Sequence, residues 1–221
     1  QEFANKLKNN DGGNKKIKIS PRKIFEINNL TNVERNGLVS SVEKRFDSSS
    51  IDTETVYSSN EFKGTLSLIL IKALSELLKS EKYKHLNSYC DGENIFIRNE
   101  VNFGLAMNLG SGLKIGVIKN SDSLSINQLE SYALELIDKY IDDKLKKDDV
   151  DDFSVVLTDL TEKGVDNFTP LITCSNSVMI GLAGIKGSIQ NLIISFDHRV
   201  SDGLEIANLI NDTLLKLRDE Y

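Results

Sequence analysis

An α+β fold is predicted by three observations. Short apolar, β-prone runs bounded by glycine and polar residues recur between positions 94 and 196. Longer stretches near 65–79, 125–145 and 204–217 carry leucine and isoleucine at helical spacing. No internal repeat and no second linker interrupts the pattern, so one folded unit is expected.

The elements follow in chain order. Residues 1–16, ending in Asn9-Asn10-Asp11-Gly12-Gly13-Asn14-Lys15-Lys16, are polar and read as a flexible linker. The folded unit is expected to span 17–221. Ile17 to Lys23 should form a short edge strand running into a helix with Pro21 at its start. Leu66, Ile69, Leu70, Ala73, Leu74, Leu77 and Leu78 give Thr65 to Lys79 a broad apolar face, the sign of a largely buried helix. Asn94 to Ile97, Asn102 to Asn108 and Leu113 to Lys119 read as strands, the last two joined by a turn at Leu109-Gly110-Ser111-Gly112. Ser125 can cap a helix running to Leu145, ended by the charged cluster Asp142 to Asp152. Phe153 to Leu160, Val178 to Gly184 and Leu192 to Phe196 complete a sheet. Leu204, Leu209, Ile210, Leu214, Leu215 and Leu217 give a C-terminal helix with one apolar face.

Composition removes several function classes. With 221 residues and 39% hydrophobic content the chain can bury one large core. No apolar run is long enough to span a bilayer, and no charged-then-apolar leader is present, so a cytoplasmic protein is expected, or a mitochondrial or organellar matrix protein in a eukaryote. Gln1 in place of an initiator methionine suggests a fragment or processed product. The net charge of −6 argues against a nucleic-acid footprint. Cys90 and Cys174 are too few and too far apart for a disulfide framework, and reduced thiols are expected. In 142–152 the carboxylates alternate with Lys144, Lys146 and Lys147, a solvated loop rather than a metal site.

The chemistry concentrates in Asp197-His198-Arg199-Val200-Ser201-Asp202-Gly203. The chain has only two histidines, and this one leaves an apolar strand, where an imidazole is placed like a catalytic base. His85, the other, reads as a helix-end surface residue. Cys174 has no histidine placed to activate it.

The stretch Ser195 to Gly203 resembles the signature of the dihydrolipoamide acyltransferases of 2-oxoacid dehydrogenase complexes. Chloramphenicol acetyltransferase and peptide-synthetase condensation domains share its reduced form, His, three residues, Asp, Gly. Further segments resemble the family in the right order: Leu86-Asn87-Ser88, Asn102-Phe103-Gly104-Leu105-Ala106, Gly112-Leu113 through Asn120, Val156-Leu157-Thr158-Asp159-Leu160, and Phe168-Thr169-Pro170-Leu171-Ile172.

That resemblance implies a chloramphenicol-acetyltransferase-like mixed sheet with flanking helices, and a catalytic domain over 17–221. It implies transfer of an acyl group between dihydrolipoamide and coenzyme A, with His198 as general base and Thr158 as oxyanion donor. Asp202 would hold the histidine loop through an arginine, for which Arg22 is the candidate, and Gly203 would let the chain turn into the last helix. Coenzyme A would be a substrate, and the lipoyl group would ride on another domain or protein. A homotrimer is implied, with histidine and hydroxyl from different subunits, alongside a lipoylated domain and 2-oxoacid dehydrogenase and dihydrolipoamide dehydrogenase partners. Charged residues at Leu217-Arg218-Asp219-Glu220-Tyr221, where the family's apolar anchor would begin, favour a closed trimer over a larger cage.

The chain departs from the family at Asp159-Leu160-Thr161, where Asn-Leu-Gly is frequent, and at Thr173-Cys174-Ser175-Asn176, where Asn-Pro-Pro-Gln is frequent. Two other readings stand beside the acyltransferase: a non-catalytic core scaffold, and a coenzyme-A-dependent acetyltransferase with a small alcohol or amine acceptor. Retention of His198, Asp202 and Gly203 favours an enzyme.

Overall fold

Six strands form one mixed sheet in the order β1-β8-β7-β6-β4-β5. They are β1 (Val39–Asp47), β4 (Phe103–Met107), β5 (Lys114–Ile118), β6 (Val155–Asp159), β7 (Val178–Lys186) and β8 (Ile189–Asp197). The pairs β4/β6 and β6/β7 are parallel, while β1/β8, β7/β8 and β4/β5 are antiparallel. A separate hairpin joins β2 (Ser88–Cys90) to β3 (Ile95–Ile97). This computed structural model describes residues 18–21, 23, 24, 27, 38–51, 65–110, 112–173 and 175–220.

One face of the sheet is covered by α1 (Thr65–Lys79), α2 (Ile126–Ile141) and α3 (Gly203–Glu220). Alternation along the strands decides what meets them. Val155 and Leu157 of β6, Ile180 and Leu182 of β7, and Leu192, Ile194 and Phe196 of β8 join the helices in the main core. α1 packs against both other helices, which is why Leu68, Ile69, Leu70 and Ile71 are all buried despite pointing in different directions. On the opposite face Val156, Met179 and Ile172 form a smaller apolar cluster under the segment that follows β6. Among the described residues no helix is long and apolar enough to cross a membrane.

The expected helices and most strands are present, with four differences, one of them the unexpected short strand β2 at Ser88–Cys90. Lys18 to Ser20 carry no strand, although Pro21 does open a helical segment, capped by Ser20 Oγ accepting from Lys23 N–H at 3.2 Å. β1 is an additional strand; its inward apolar residues are only Val42 and Phe46, so its alternation is weak. The helix expected to reach Leu145 stops at Ile141. Asp143 takes φ 54°, Lys144 N–H donates to Lys139 O and Asp143 N–H to Tyr140 O, a Schellman end built on aspartate instead of glycine. Leu145 still packs on the core, which accounts for the prolonged helical pattern in the sequence.

Ser125 caps α2 as expected, in a reciprocal box with Gln128. The carboxylates of the following charged loop meet cations: Lys139–Asp149 and Lys114–Asp143 stand at 2.7 and 2.8 Å, and Arg98 pairs with Asp152. The expected linker at 1–16 lies outside the described residues.

Candidate active site

The turn after β8 is organised around Asp197, whose side chain is almost fully buried. Its carboxylate accepts from Arg199 Nε at 3.0 Å to each oxygen and from Arg199 Nη2 at 2.5 Å, a forked pair that straddles His198. The same carboxylate accepts Arg199 N–H, and Asp197 O accepts the N–H groups of Val200 and Ser201. The hydrogen-bonded Asp197 carboxylate holds the Arg199 guanidinium protonated beyond its ordinary range. The ends of two neighbouring strands complete the support. Asp197 N–H donates to Ser177 O at 3.0 Å, and His198 N–H donates to Leu38 O at 2.7 Å. The His198 backbone is therefore fixed while its side chain is exposed, with the imidazole tilted against Phe196 at 4.7 Å between ring centres.

Asp202 lies in the same turn. Its Oδ1 accepts Glu205 N–H at 2.9 Å, the geometry of an N-cap on α3. Arg22, expected to pair with Asp202, lies outside the described residues, as does Cys174. Gly203 is the first residue of α3 and has no left-handed φ; a Cβ there would meet Val42 Cγ2 at an ordinary 3.9 Å. Gly203 thus opens the helix with ordinary backbone, directly after the capping Asp202.

Thr158 stands near the end of β6, half-buried, on the face opposite the helices. Its strand neighbours fix it. Leu157 is locked in the core, and Asp159 accepts from Ser67 Oγ of α1 at 2.5 Å and from the Thr161 N–H and hydroxyl at 2.9 and 2.7 Å. Across the ladder Thr158 faces Gly181. Phe168 and Pro170 pass so closely over Gly181 that a Cβ would lie 2.8 Å from a side-chain atom of each, so a larger residue there would have to displace that loop beside Thr158. The Thr158 hydroxyl makes no hydrogen bond among the described residues.

His198, Asp202 and Gly203 are thus brought together, and Thr158 is not. The register sets His198 and Thr158 two strands apart and five residues apart along β7. At about 3.3 Å per residue and about 4.8 Å per strand, the separation within one chain is about 19 Å. A base and an oxyanion donor serving one carbonyl must each come within hydrogen-bonding reach of it. Cavities of about 470 Å³ beside β1 and α3, and about 450 Å³ beside α2 and β5, include neither residue. Among the described residues no group of three or more His, Cys, Asp or Glu is arranged to hold a metal ion.

Sequence reasoning missed the Asp197–Arg199 clamp, although an acid and an arginine flanking the histidine were the available signal. It also missed His85: the expected surface residue is only a third exposed, and its Nε2 lies 2.9 Å from Glu205 Oε1 in the first turn of α3.

Comparison with known proteins adds a family to this geometry. The model of the 2-oxoacid dehydrogenases acyltransferase (catalytic domain) family matches residues 12–219. The dihydrolipoyllysine-residue acetyltransferase component of the pyruvate dehydrogenase complex of Cupriavidus necator is 30% identical over 160 residues, 66% of this chain and 28% of that protein. The chain therefore spans less than a third of that relative's length. The cubic core of the pyruvate dehydrogenase multienzyme complex superposes with a TM-score of 0.82 at 22% identity, covering 100% of this chain and 96% of the other. Chloramphenicol acetyltransferase superposes at 0.54 with 8% identity, covering 85% of this chain and 94% of the other, and shares the fold. With a match along nearly its whole length and the fold to go with it, the chain belongs to the acyltransferase catalytic-domain family of the 2-oxoacid dehydrogenases.

Proposed function

We propose that the chain transfers an acyl group between the thiols of dihydrolipoamide and coenzyme A, in a site completed by two subunits of a homotrimer. His198 takes the proton of the acceptor thiol, and the thiolate sulfur attacks the thioester carbonyl carbon. The new C–S bond leaves a tetrahedral oxyanion, to which the Thr158 hydroxyl of the neighbouring subunit donates. Collapse breaks the old C–S bond, and the imidazolium returns its proton to the departing thiolate. Asp202 holds the turn by capping α3. The lipoyl group arrives on another domain or protein, and 2-oxoacid dehydrogenase and dihydrolipoamide dehydrogenase subunits are the proposed further partners.

The observation that carries this reading is the His198 turn, fixed at its backbone by two neighbouring strand ends with the imidazole left exposed. The Thr158 hydroxyl, without a hydrogen bond among the described residues and about 19 Å away, supports the division between subunits. The test is acyl exchange from acetyl-, succinyl- and isobutyryl-coenzyme A onto dihydrolipoamide. Transfer from at least one donor, abolished in His198→Ala, is expected. No transfer from any donor, or equal transfer by the variant, would favour a non-catalytic core protein.

A further inference from the structure

Glu205 is the third residue of α3, three after the capping Asp202. At that spacing a glutamate often folds back onto the N–H of the capping residue. Here its carboxylate turns elsewhere. Oε2 accepts from Ser201 Oγ at 2.7 Å, and Oε1 faces His85 Nε2 at 2.9 Å. Ser201 is nearly buried, and its N–H donates to Asp197 O at 3.2 Å. His85 belongs to the single helical turn Lys84–Leu86 that leads into β2. There Ser88 Oγ meets Ser177 Oγ at 2.9 Å, and Ser177 O accepts Asp197 N–H. The contacts close a ring that passes from Asp197 through Ser201, Glu205, His85, β2 and Ser177 back to Asp197. His198 lies in the turn between Asp197 and Ser201, two members of this ring.

We propose that His85, Glu205 and Ser201 are positioning residues that set the placement of the His198 imidazole. The inference rests on the proposed role of His198 as base. Glu205 joins two elements that the backbone alone does not join: the turn before β2 and the turn after β8. His85 Nε2 faces one carboxylate oxygen at 2.9 Å, leaving the other for Ser201. A base that drifts from its proton loses rate more than binding, since placement matters most as the proton moves.

The test uses the full chain with isotopically labelled histidine. Only two histidines exist, so the imidazole signals are assigned by comparison with His198→Ala. In His85→Ala the His198 ring signals shift, and kcat for acetyl-coenzyme A with dihydrolipoamide falls about five- to tenfold with KM unchanged. His85→Gln, which keeps an N–H donor, restores both. Unmoved His198 signals in folded His85→Ala overturn the inference, and so does an equal loss in His85→Ala and His85→Gln. Should His85→Ala not fold, Ser201→Ala breaks the chain from the other side and is read by the same signals. If the parent transfers nothing, or His198→Ala matches it, the acyl-transfer reading falls while the ring signals still decide the positioning chain.

Discussion

The two ends of the candidate site are built in opposite ways. The turn carrying His198 is dense with polar contacts: a pair between buried Asp197 and partly exposed Arg199, backbone bonds to Leu38 and Ser177, and the Glu205 bridge. At Thr158 the neighbours are fixed instead, Leu157 by the core and Asp159 by Ser67 and Thr161, while the hydroxyl itself is unengaged among the described residues. A base has to present one ring edge in one direction, so its loop is tied down. An oxyanion donor needs an uncommitted O–H on a rigid strand. The contrast fits the two proposed roles, and it shows that one chain does not bring the two groups together, since the sheet separates them by about 19 Å.

Substitutions at the two ends sharpen this contrast. The largest effect is expected for His198→Ala, a loss of at least about 10²-fold in acyl transfer with substrate binding retained. Steady-state kinetics and calorimetric binding check it, and transfer at the parental rate would remove the base. Thr158→Ala should lower kcat by about 10²-fold with KM little changed, whereas Thr158→Ser keeps most activity. An alanine variant with normal turnover would leave Thr158 as an ordinary strand residue. Arg199→Ala should cost about 2 kcal/mol, below the roughly 3–5 kcal/mol of a fully buried pair, because the arginine side chain is partly exposed. Chemical unfolding measures it, and unchanged stability would mean that the pair does not hold the turn. The smallest effect belongs to Asp202→Ala, about 1 kcal/mol for a lost cap, most of it recovered in Asp202→Asn. An asparagine variant as unstable as the alanine one would point to an ion pair, for which Arg22 is the candidate.

Much of the fold could be read from local pattern. The run Leu66 to Leu78 and the strand ending at Phe196 carry their burial in their own periodicity, and the structure places them accordingly. β1 could not be read this way. As an edge strand it buries little, and its identity comes from pairing with β8. The early end of α2 was hidden by Asp143, which takes the left-handed position that glycine would have announced. At the candidate site, His198 and Asp202 were named from one short stretch, which the structure keeps in one turn, while Thr158 was named through resemblance and stands on another strand. The contact of His85 with Glu205 was hidden because the two are distant in the chain, and only the packing of the turn before β2 against α3 brings them together.

The central claim is that His198 and Thr158 act across a subunit boundary, and mixing inactive variants tests it most directly. His198→Ala and Thr158→Ala chains are unfolded together in equal amounts, refolded and assayed for acyl exchange. In a cyclic trimer assembled at random, about one site in four pairs an intact His198 with an intact Thr158. The mixture should therefore recover about a quarter of the activity of the parent refolded alone. Activity no higher than that of the separately refolded variants would contradict the shared site.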